Sequence, residues 1–378
     1  FVLVPVPMFI LMGTVIFHSG IAYRMIDVLD EWLGKIAGRL ALLSIGAGSL
    51  FATLTGVAMG SVAMLGSTLV PDMERRGYSK SMSIGPILAS GSLAIMIPPS
   101  ALGVILASMG QFSVGKLLIG ILLPGLLLAV VYATYVVIRC HIQPHLAPAY
   151  EVAPTAIRPR IMRTLQYVLP LVIIIGVVIG TIFAGVATPT EAAALGALFC
   201  FLLVACYGKL TWQVIKKSVA AATTISVMVF VILTGSAAFS QILAFTGITV
   251  GITELALSWS EHPILILIAM QVILLLLGML IEQTSIVMIT TPIYFPIVSA
   301  FGWDPVWFGA IMLLNLEMAT ISPPFGLSLF VMKGITSKTT TMSDIYRAAL
   351  PFVALNLVVM GIMIAVPGTV LWLPALMR

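Results

Sequence analysis

The sequence predicts an all-α integral membrane fold built from two inverted copies of one unit, each with a re-entrant hairpin and a broken helix. Three observations carry this expectation. Of the 378 residues, 61% are hydrophobic and 8% charged, and mean hydropathy is +1.19, whereas a soluble domain carries about a quarter charged residues. The dipeptide Pro-Pro occurs twice, at Pro98-Pro99 and Pro323-Pro324, 225 residues apart and each time inside an apolar run. Lys and Arg are distributed oppositely in the two halves.

Apolar stretches of about 20 residues suit α-helices crossing a hydrocarbon core of about 30 Å, and no long alternating pattern suggests a barrel. The clear spans are residues 1–22, 117–139, 164–184, 187–207, 218–245 and 348–372. The net charge of +5 needs no nucleic acid partner, because loop Lys and Arg on the cytoplasmic side of a membrane account for it. Cys140, Cys200 and Cys206 are odd in number and two lie in apolar runs, so no disulfide framework is implied.

Sliding the chain by 225 residues sets Pro71 on Pro296, Gly77 on Gly302, Ala94 on Ala319 and Leu102 on Leu327. With a drift of two or so, Gly20 falls on Gly247 and Pro124 on Pro351. This is the signature of an internal structural repeat. It divides the chain into a first copy (1–139), a cytoplasmic linker (140–163) and a second copy (164–378). Residues 164–207, two helices at the start of the second copy, have no counterpart in the first. Two further helices are therefore expected upstream of Phe1.

Charge sets the relative orientation of the copies. Arg24, Lys35 and Arg39 follow the first span, and Arg75, Arg76 and Lys80 follow Pro71, while the matching second-copy loops, 250–263 and 297–306, hold no Lys or Arg. Conversely, 333–347 holds Lys333, Lys338 and Arg347, where the first copy has only Lys116. The asymmetry changes sign, as inverted topology requires. A cytoplasmic 72–80 loop also puts 139–163 and 208–217 inside, provided that 40–71 and 265–296 each enter and return on one side. These two segments are the expected re-entrant hairpins. "DVLDEWLGKIAGR" (27–39) gathers Val28, Leu29, Trp32, Leu33 and Ile36 on one face; it and its weaker copy, "TELALSWSEHP" (253–263), read as interfacial helices.

The broken helices are expected at 82–113 and 306–332. A proline pair interrupts the helix and frees backbone carbonyls, which hydrocarbon tolerates only where they are buried in protein or line a cavity. One such break reads as an ordinary kink. A duplicated pair points instead to a site near the midplane, where helix ends and unwound carbonyls hold an ion and an anionic substrate.

The polar residues around the breaks are Ser90, Ser92 and Ser100 in the first copy and Asn315, Thr320 and Ser322 in the second. The hairpin turns, "TLTGVAMGS" (53–61) and "GMLIEQTS" (278–285), supply Thr55, Gly56 and Ser61 and Glu282, Gln283, Thr284 and Ser285. Hard cations such as sodium prefer neutral oxygens and carbonyls. Ser61, Ser92, Ser100, Asn315 and Ser322 are thus the candidate substrate contacts. Thr55, Gly56, Pro98, Glu282, Gln283, Thr284, Ser285, Thr320 and Pro323 are the candidate cation site.

Glu282 and Glu317 are carboxylates inside apolar segments, placements costly enough to suggest function; each could bind a cation or relay a proton. Glu191, three residues after Thr188 in "TPTE", has the grammar of a helix cap and a structural role. Cys140, His141 and His145 are interrupted by Pro144 and do not read as a metal site. No catalytic signature is present, so no enzyme activity and no cofactor beyond the coupling ion is expected.

At these residues the chain resembles the large membrane subunit of tripartite ATP-independent periplasmic (TRAP) transporters. The resemblance is carried by "RRGYSKSMSIGPILASGSLAIMIPPS", "GVATPTEAAALGAL", "GMLIEQTSIVMITTPIYFPIVSAFGWDPVWFGAIMLLNL" and "TISPPFGLSLFV", and with the spans between them it covers essentially the whole chain. It implies an inverted-repeat secondary transporter of the elevator type in the bacterial inner membrane. A small membrane subunit, a periplasmic substrate-binding protein, sodium coupling and an organic-acid substrate are implied with it. The family's ion-site regions fall on Thr55, Gly56 and Ser61, on Pro98 to Ser100, on Glu282 to Ser285 and on Thr320 to Pro324. The family commonly has aspartate where Glu282 stands and "TPPVG" in place of "SPPFG". The competing expectations are a stand-alone ion-coupled anion transporter, a proton-coupled one, and a non-transporting scaffold.

Overall fold

A computed structural model describes residues 3–55, 58–150, 156–258 and 262–377. Among them all regular structure is helical. The first half runs α1 (Pro5–Ser19), α2 (Ile21–Trp32), α3 (Arg39–Thr55), α4 (Ala58–Arg75), α5 (Lys80–Ser92), α6 (Ala101–Met109) and α7 (Val114–Ile142). Three helices follow, α8 (Ile157–Tyr167), α9 (Leu169–Phe183) and α10 (Pro189–Cys206). The second half runs α11 (Trp212–Thr246), α12 (Ile248–Ser258), α13 (Pro263–Leu280), α14 (Gln283–Ala300), α15 (Pro305–Thr320), α16 (Leu327–Ile335), α17 (Met342–Ala365) and α18 (Gly368–Ala375).

From α12 to α17 the helices hold 11, 18, 18, 16, 9 and 24 residues. From α2 to α7 they hold 12, 17, 18, 13, 9 and 29. Left-handed glycines stand at corresponding joints: Gly20 (φ 74°) and Gly247 (φ 71°) before α2 and α12, Gly77 (φ 77°) and Gly302 (φ 67°) before α5 and α15. Glycine takes this conformation without the steric cost a Cβ would add. Residues 93–100 and 321–326 separate α5 from α6 and α15 from α16, and both diproline bonds there are cis.

Six helical stretches are long and apolar enough to cross a membrane: α7, α8 with α9, α10, α11, α13 and α17, or seven with α1 and α2 as one bent span. The chain is a multi-pass membrane protein. Two details differ from the sequence expectation. The apolar run 1–22 does not continue straight, because the chain turns by 74° between α1 and α2 at the left-handed Gly20. In the 265–296 hairpin, α13 has 18 residues and a rise of about 27 Å, nearly a full crossing, so its apolar length does not by itself distinguish a hairpin arm from a span.

The two halves interlock. The second arm of each hairpin packs on the short helix after the other half's break, α4 on α16 and α14 on α6. α5 packs on α17 and α15 on α7, while α1 packs on α10 and α11. Side-chain caps fix where helices start: Thr188 with Glu191 on α10 and Thr341 with Asp344 on α17 form capping boxes, and Asp304 caps α15 ahead of Pro305. Glu191 thus has the capping role its spacing predicts.

The basic loops gather at one end. Lys80 Nζ lies 2.8 Å from Asp344 Oδ2, and Arg163 Nη1 lies 2.6 Å from Glu31 Oε1. Arg39, 1% exposed, pairs with Asp30 at 2.7 Å, and Arg76 lies 3.8 Å over the Tyr150 ring. Burial pushes the Tyr78 phenol up to about 12; it stays neutral and accepts a hydrogen bond from the Leu40 amide, tying the α4–α5 loop to α3. At the far end of α17, Ile364 borders a recess with His262, Trp303 and Trp307.

Candidate functional site

A cavity of about 300 Å³ is lined by residues of α1 and α11 together with residues of the breaks and hairpin tips. Val6 and Ile10 of α1 and Ile225, Met228 and Val229 of α11 form an apolar wall. Most of the remaining lining comes from helix ends. Met59 is in the first turn of α4, Ala101 and Leu102 in that of α6, Gln283 and Thr284 in that of α14, and Leu327 opens α16; Thr320 is the last residue of α15.

Four helix N-termini and one C-terminus therefore meet at one hollow. Amides of a first turn lack intrahelical partners and carry a partial positive charge of about half a unit, so they attract anions, while the carbonyls of a last turn attract cations. No Lys, Arg or His is among the described lining residues. The surrounding segments 40–74, 81–115 and 263–332 contain none in their sequence. Backbone, rather than basic side chains, is what this cavity offers a negative charge.

The second hairpin tip supplies most of the polar lining. Glu282 is the N-cap of α14: Oε2 accepts from the Thr284 amide at 2.9 Å and the Ser285 amide at 3.2 Å, and Oε1 accepts from Thr284 Oγ1 at 2.9 Å. Gln283 Nε2 donates to the Leu316 carbonyl at 2.9 Å, joining the tip to α15. Thr320 Oγ1 donates to the Glu317 carbonyl at 2.8 Å, leaving its oxygen lone pairs available at the cavity edge. Of the fourteen residues predicted from sequence, Glu282, Gln283, Thr284 and Thr320 thus line a single cavity, with Ser285 supporting the cap.

The other candidates sit differently. Ser100 caps α6 by accepting from the Gly103 amide at 3.2 Å, and Ser322 Oγ donates to the Met318 carbonyl at 2.8 Å. Asn315 Nδ2 donates to the carbonyl and Oε1 of Gln271 at 2.7 and 2.8 Å. Ser61 is buried, and neither it, Pro98 nor Pro323 is among the described lining residues. In apolar surroundings small hydroxyls and amides pair with nearby protein groups, so Ser100, Ser322 and Asn315 bond within the helical framework and are not among the described lining residues. Gly56 and the side chains of Thr55 and Ser92 lie outside the described residues.

Glu317 is fully buried in α15 and does not line the cavity. Cys140, His141 and His145 form no metal cluster, since no group of three potential ligands occurs among the described residues. Sequence reasoning missed the apolar wall, because nothing chemical separates Met228 or Ile10 from a lipid-facing residue. It also missed Gln271 as the partner of Asn315. The convergence of helix N-termini was readable in principle from the helix starts that follow each turn and break.

Residues 1–369 match the family described as tripartite ATP-independent periplasmic transporter, DctM component. The chain belongs to this family. It is 32% identical over 377 residues to the C4-dicarboxylate TRAP transporter large permease protein DctM of Pseudomonas aeruginosa, covering 99% of this chain and 86% of that one. It is also 32% identical to the isethionate TRAP transporter permease protein DctMQ of Oleidesulfovibrio alaskensis, covering 97% of this chain and 57% of that protein. The YdaH transporter of Alcanivorax borkumensis shares the fold, with a TM-score of 0.72 and 15% identity over 97% of this chain and 86% of that one. As a DctM component the chain is a membrane transporter subunit, not an enzyme.

Proposed function

We propose that this DctM component carries an organic acid together with sodium across the bacterial inner membrane, receiving it from a periplasmic binding protein and working beside a small membrane subunit. The observation that carries the reading is the cavity where four helix N-termini converge with no basic side chain. A bare carboxylate moved into apolar surroundings is prohibitively costly. Here the helix ends offset part of that cost, and Glu282 cancels part of what they offer. Co-bound cations supply the remaining compensation, which is why anion and sodium would move together. Glu282, Thr284, the Thr320 hydroxyl and the carbonyls ending α15 are the oxygens we assign to the ion, and the first turns of α4, α6 and α16 to the anion.

The border between the α1–α11 wall and the rest of the lining supports an elevator movement. The lining from α1 and α11 (Val6, Ile10, Met228, Val229) and from the first break and α6 (Ile95, Leu102, Ile105) is apolar, and a bond that sliding would have to break is the one Ser236 Oγ of α11 donates to the Met288 carbonyl of α14 at 2.6 Å. The inverted topology, with both hairpins re-entrant, rests on the basic loops that collect at one end. The test is uptake by proteoliposomes containing this chain with its small membrane subunit, supplied with the binding protein and an inward sodium gradient. Uptake that needs both partners and sodium is expected. Uptake without either partner would support a stand-alone transporter, uptake driven by a proton gradient alone would overturn sodium coupling, and none under any gradient would favour a scaffold.

A further inference from the structure

A second recess of about 210 Å³, remote in sequence from the breaks, is lined at the α1–α2 bend by Ser19 and Arg24, at the end of α8 by Gln166 and Tyr167, and after α10 by Tyr207 and Lys209. It contains two cationic side chains and, among its described lining residues, no carboxylate; Asp27, one turn along α2, is not in the lining. Arg24 Nη1 donates to Tyr167 Oη at 2.7 Å, leaving that phenol's own proton to offer. The Tyr167 and Tyr207 rings stack with centroids 5.6 Å apart, and the Tyr207 hydroxyl donates to the Gln166 carbonyl. Lys209 is exposed.

From this recess α9 and α10 lead away through exposed apolar residues: Leu169 is 40% exposed, Ile173 53%, Leu198 52% and Leu202 50%. A hollow with two positive charges, a phenolic donor and an adjoining greasy surface has the chemistry that suits a phosphodiester attached to acyl chains. Basic pockets between membrane helices at the cytoplasmic face bind anionic headgroups, and tyrosines favour that depth.

We propose that this recess binds the phosphate of an anionic phospholipid, bridging Arg24 on the interfacial helix α2 to Lys209 at the end of α10. The lipid would pin α2 to the α8–α10 unit and keep the bend at Gly20 from opening. Two basic side chains near an anionic surface are worth about 30-fold in headgroup affinity.

Cys206 lines the same recess and is exposed, whereas Cys140 and Cys200 are buried, so it reports occupancy. The full chain in phosphatidylcholine nanodiscs, with or without phosphatidylglycerol, is treated with an uncharged maleimide, and the rate of Cys206 modification is measured. Phosphatidylglycerol should slow it about tenfold in the natural chain and less than twofold in R24Q/K209Q, as expected for the roughly 30-fold loss of headgroup affinity. Native mass spectrometry should show retained phosphatidylglycerol in the first and not in the second. Equal rates with and without phosphatidylglycerol, or equal protection in the variant, would overturn the site. Protection by inorganic phosphate in pure phosphatidylcholine would leave an anion site and overturn the lipid. None of these readouts involves transport, so they stand apart from the uptake experiment.

Discussion

Glu282 does two jobs in the proposed mechanism, and substitution separates them. Its carboxyl caps α14 through two backbone amides and the Thr284 hydroxyl, and among the described lining residues of the cavity it is the one acidic side chain. Glu282→Gln keeps one carbonyl oxygen for the two amides and loses the charge; Glu282→Ala loses both. Removing a side-chain cap costs about 0.5–2 kcal/mol, so Ala should destabilise by about 2 kcal/mol and Gln, a neutral cap, by about half as much. Sodium binding responds to charge. A pair of unit charges about 4 Å apart at an effective dielectric near 20 attracts by about 4 kcal/mol, of which desolvation leaves a part. Sodium affinity in the Gln variant should therefore fall between about tenfold and a hundredfold, or about 1.4–2.8 kcal/mol. The assay is the sodium concentration for half-maximal uptake in proteoliposomes, beside thermal unfolding of the same preparations. An unchanged half-saturating sodium concentration in Glu282→Gln, with its unfolding temperature little moved, would show that the carboxylate is only a cap.

Three further outcomes follow from the geometry. A Cβ on Gly326 would lie 2.4 Å from the Thr320 carbonyl oxygen, so Gly326→Ala must displace the second break; it should cost about 1–3 kcal/mol and abolish uptake, whereas Gly361→Ala, with nothing within 4 Å of the added carbon, should leave uptake intact. Asp30→Ala removes the counter-charge of the buried Arg39 guanidinium, leaving it the Gly34 and residue-30 carbonyls, and should lower stability by about 3 kcal/mol, more than Arg39→Ala, which leaves Asp30 partly in water; chemical denaturation of both variants in detergent checks the order. Asn356 Nδ2 donates to Tyr132 Oη at 2.6 Å, fully buried between α7 and α17, so Asn356→Leu should cost about 1–3 kcal/mol by leaving the phenol one partner short, read as a drop in unfolding temperature.

The all-helical membrane architecture, the family and the two break positions were legible because each rests on a coarse signal: apolar length, motif combination and proline. Site detail was less so. Glu282 stood out because a carboxylate in hydrocarbon is rare, and Thr284 and Thr320 because they sit next to a turn and a break. Ser100 and Ser322 have the same credentials, yet Ser100 accepts from the Gly103 amide and Ser322 donates to the Met318 carbonyl, local bonds open to any serine beside a helix end and so no guide to which one lines a cavity. The 74° bend after α1 was hidden inside an apolar run where Gly20 could equally have been a packing glycine. Ile225, Met228 and Val229 became lining residues only once α11 was seen against the breaks, because an apolar stripe reads the same toward lipid, protein or substrate.

The crossed packing also bears on how the two breaks act together. The tip of the second hairpin contributes Glu282, Gln283 and Thr284 to the cavity, and the helix that follows it, α14, rests on α6, the helix beyond the first break. Likewise α4, which brings Met59 to the cavity, rests on α16 beyond the second. Each half therefore supplies a helix end and also the surface that positions the other half's helix end. Gly125 of α7 narrows this further, for a Cβ there would meet the Met96 carbonyl of the first break at 2.4 Å. In the proposed mechanism an ion drawing the carbonyls that end α15 toward Glu282 would pull on α14, and through α14 on α6, whose first turn is assigned to the anion. Cation and anion would thereby be coupled through the two crossed contacts, α14 on α6 and α4 on α16, so neither half alone could make transport of one conditional on the other.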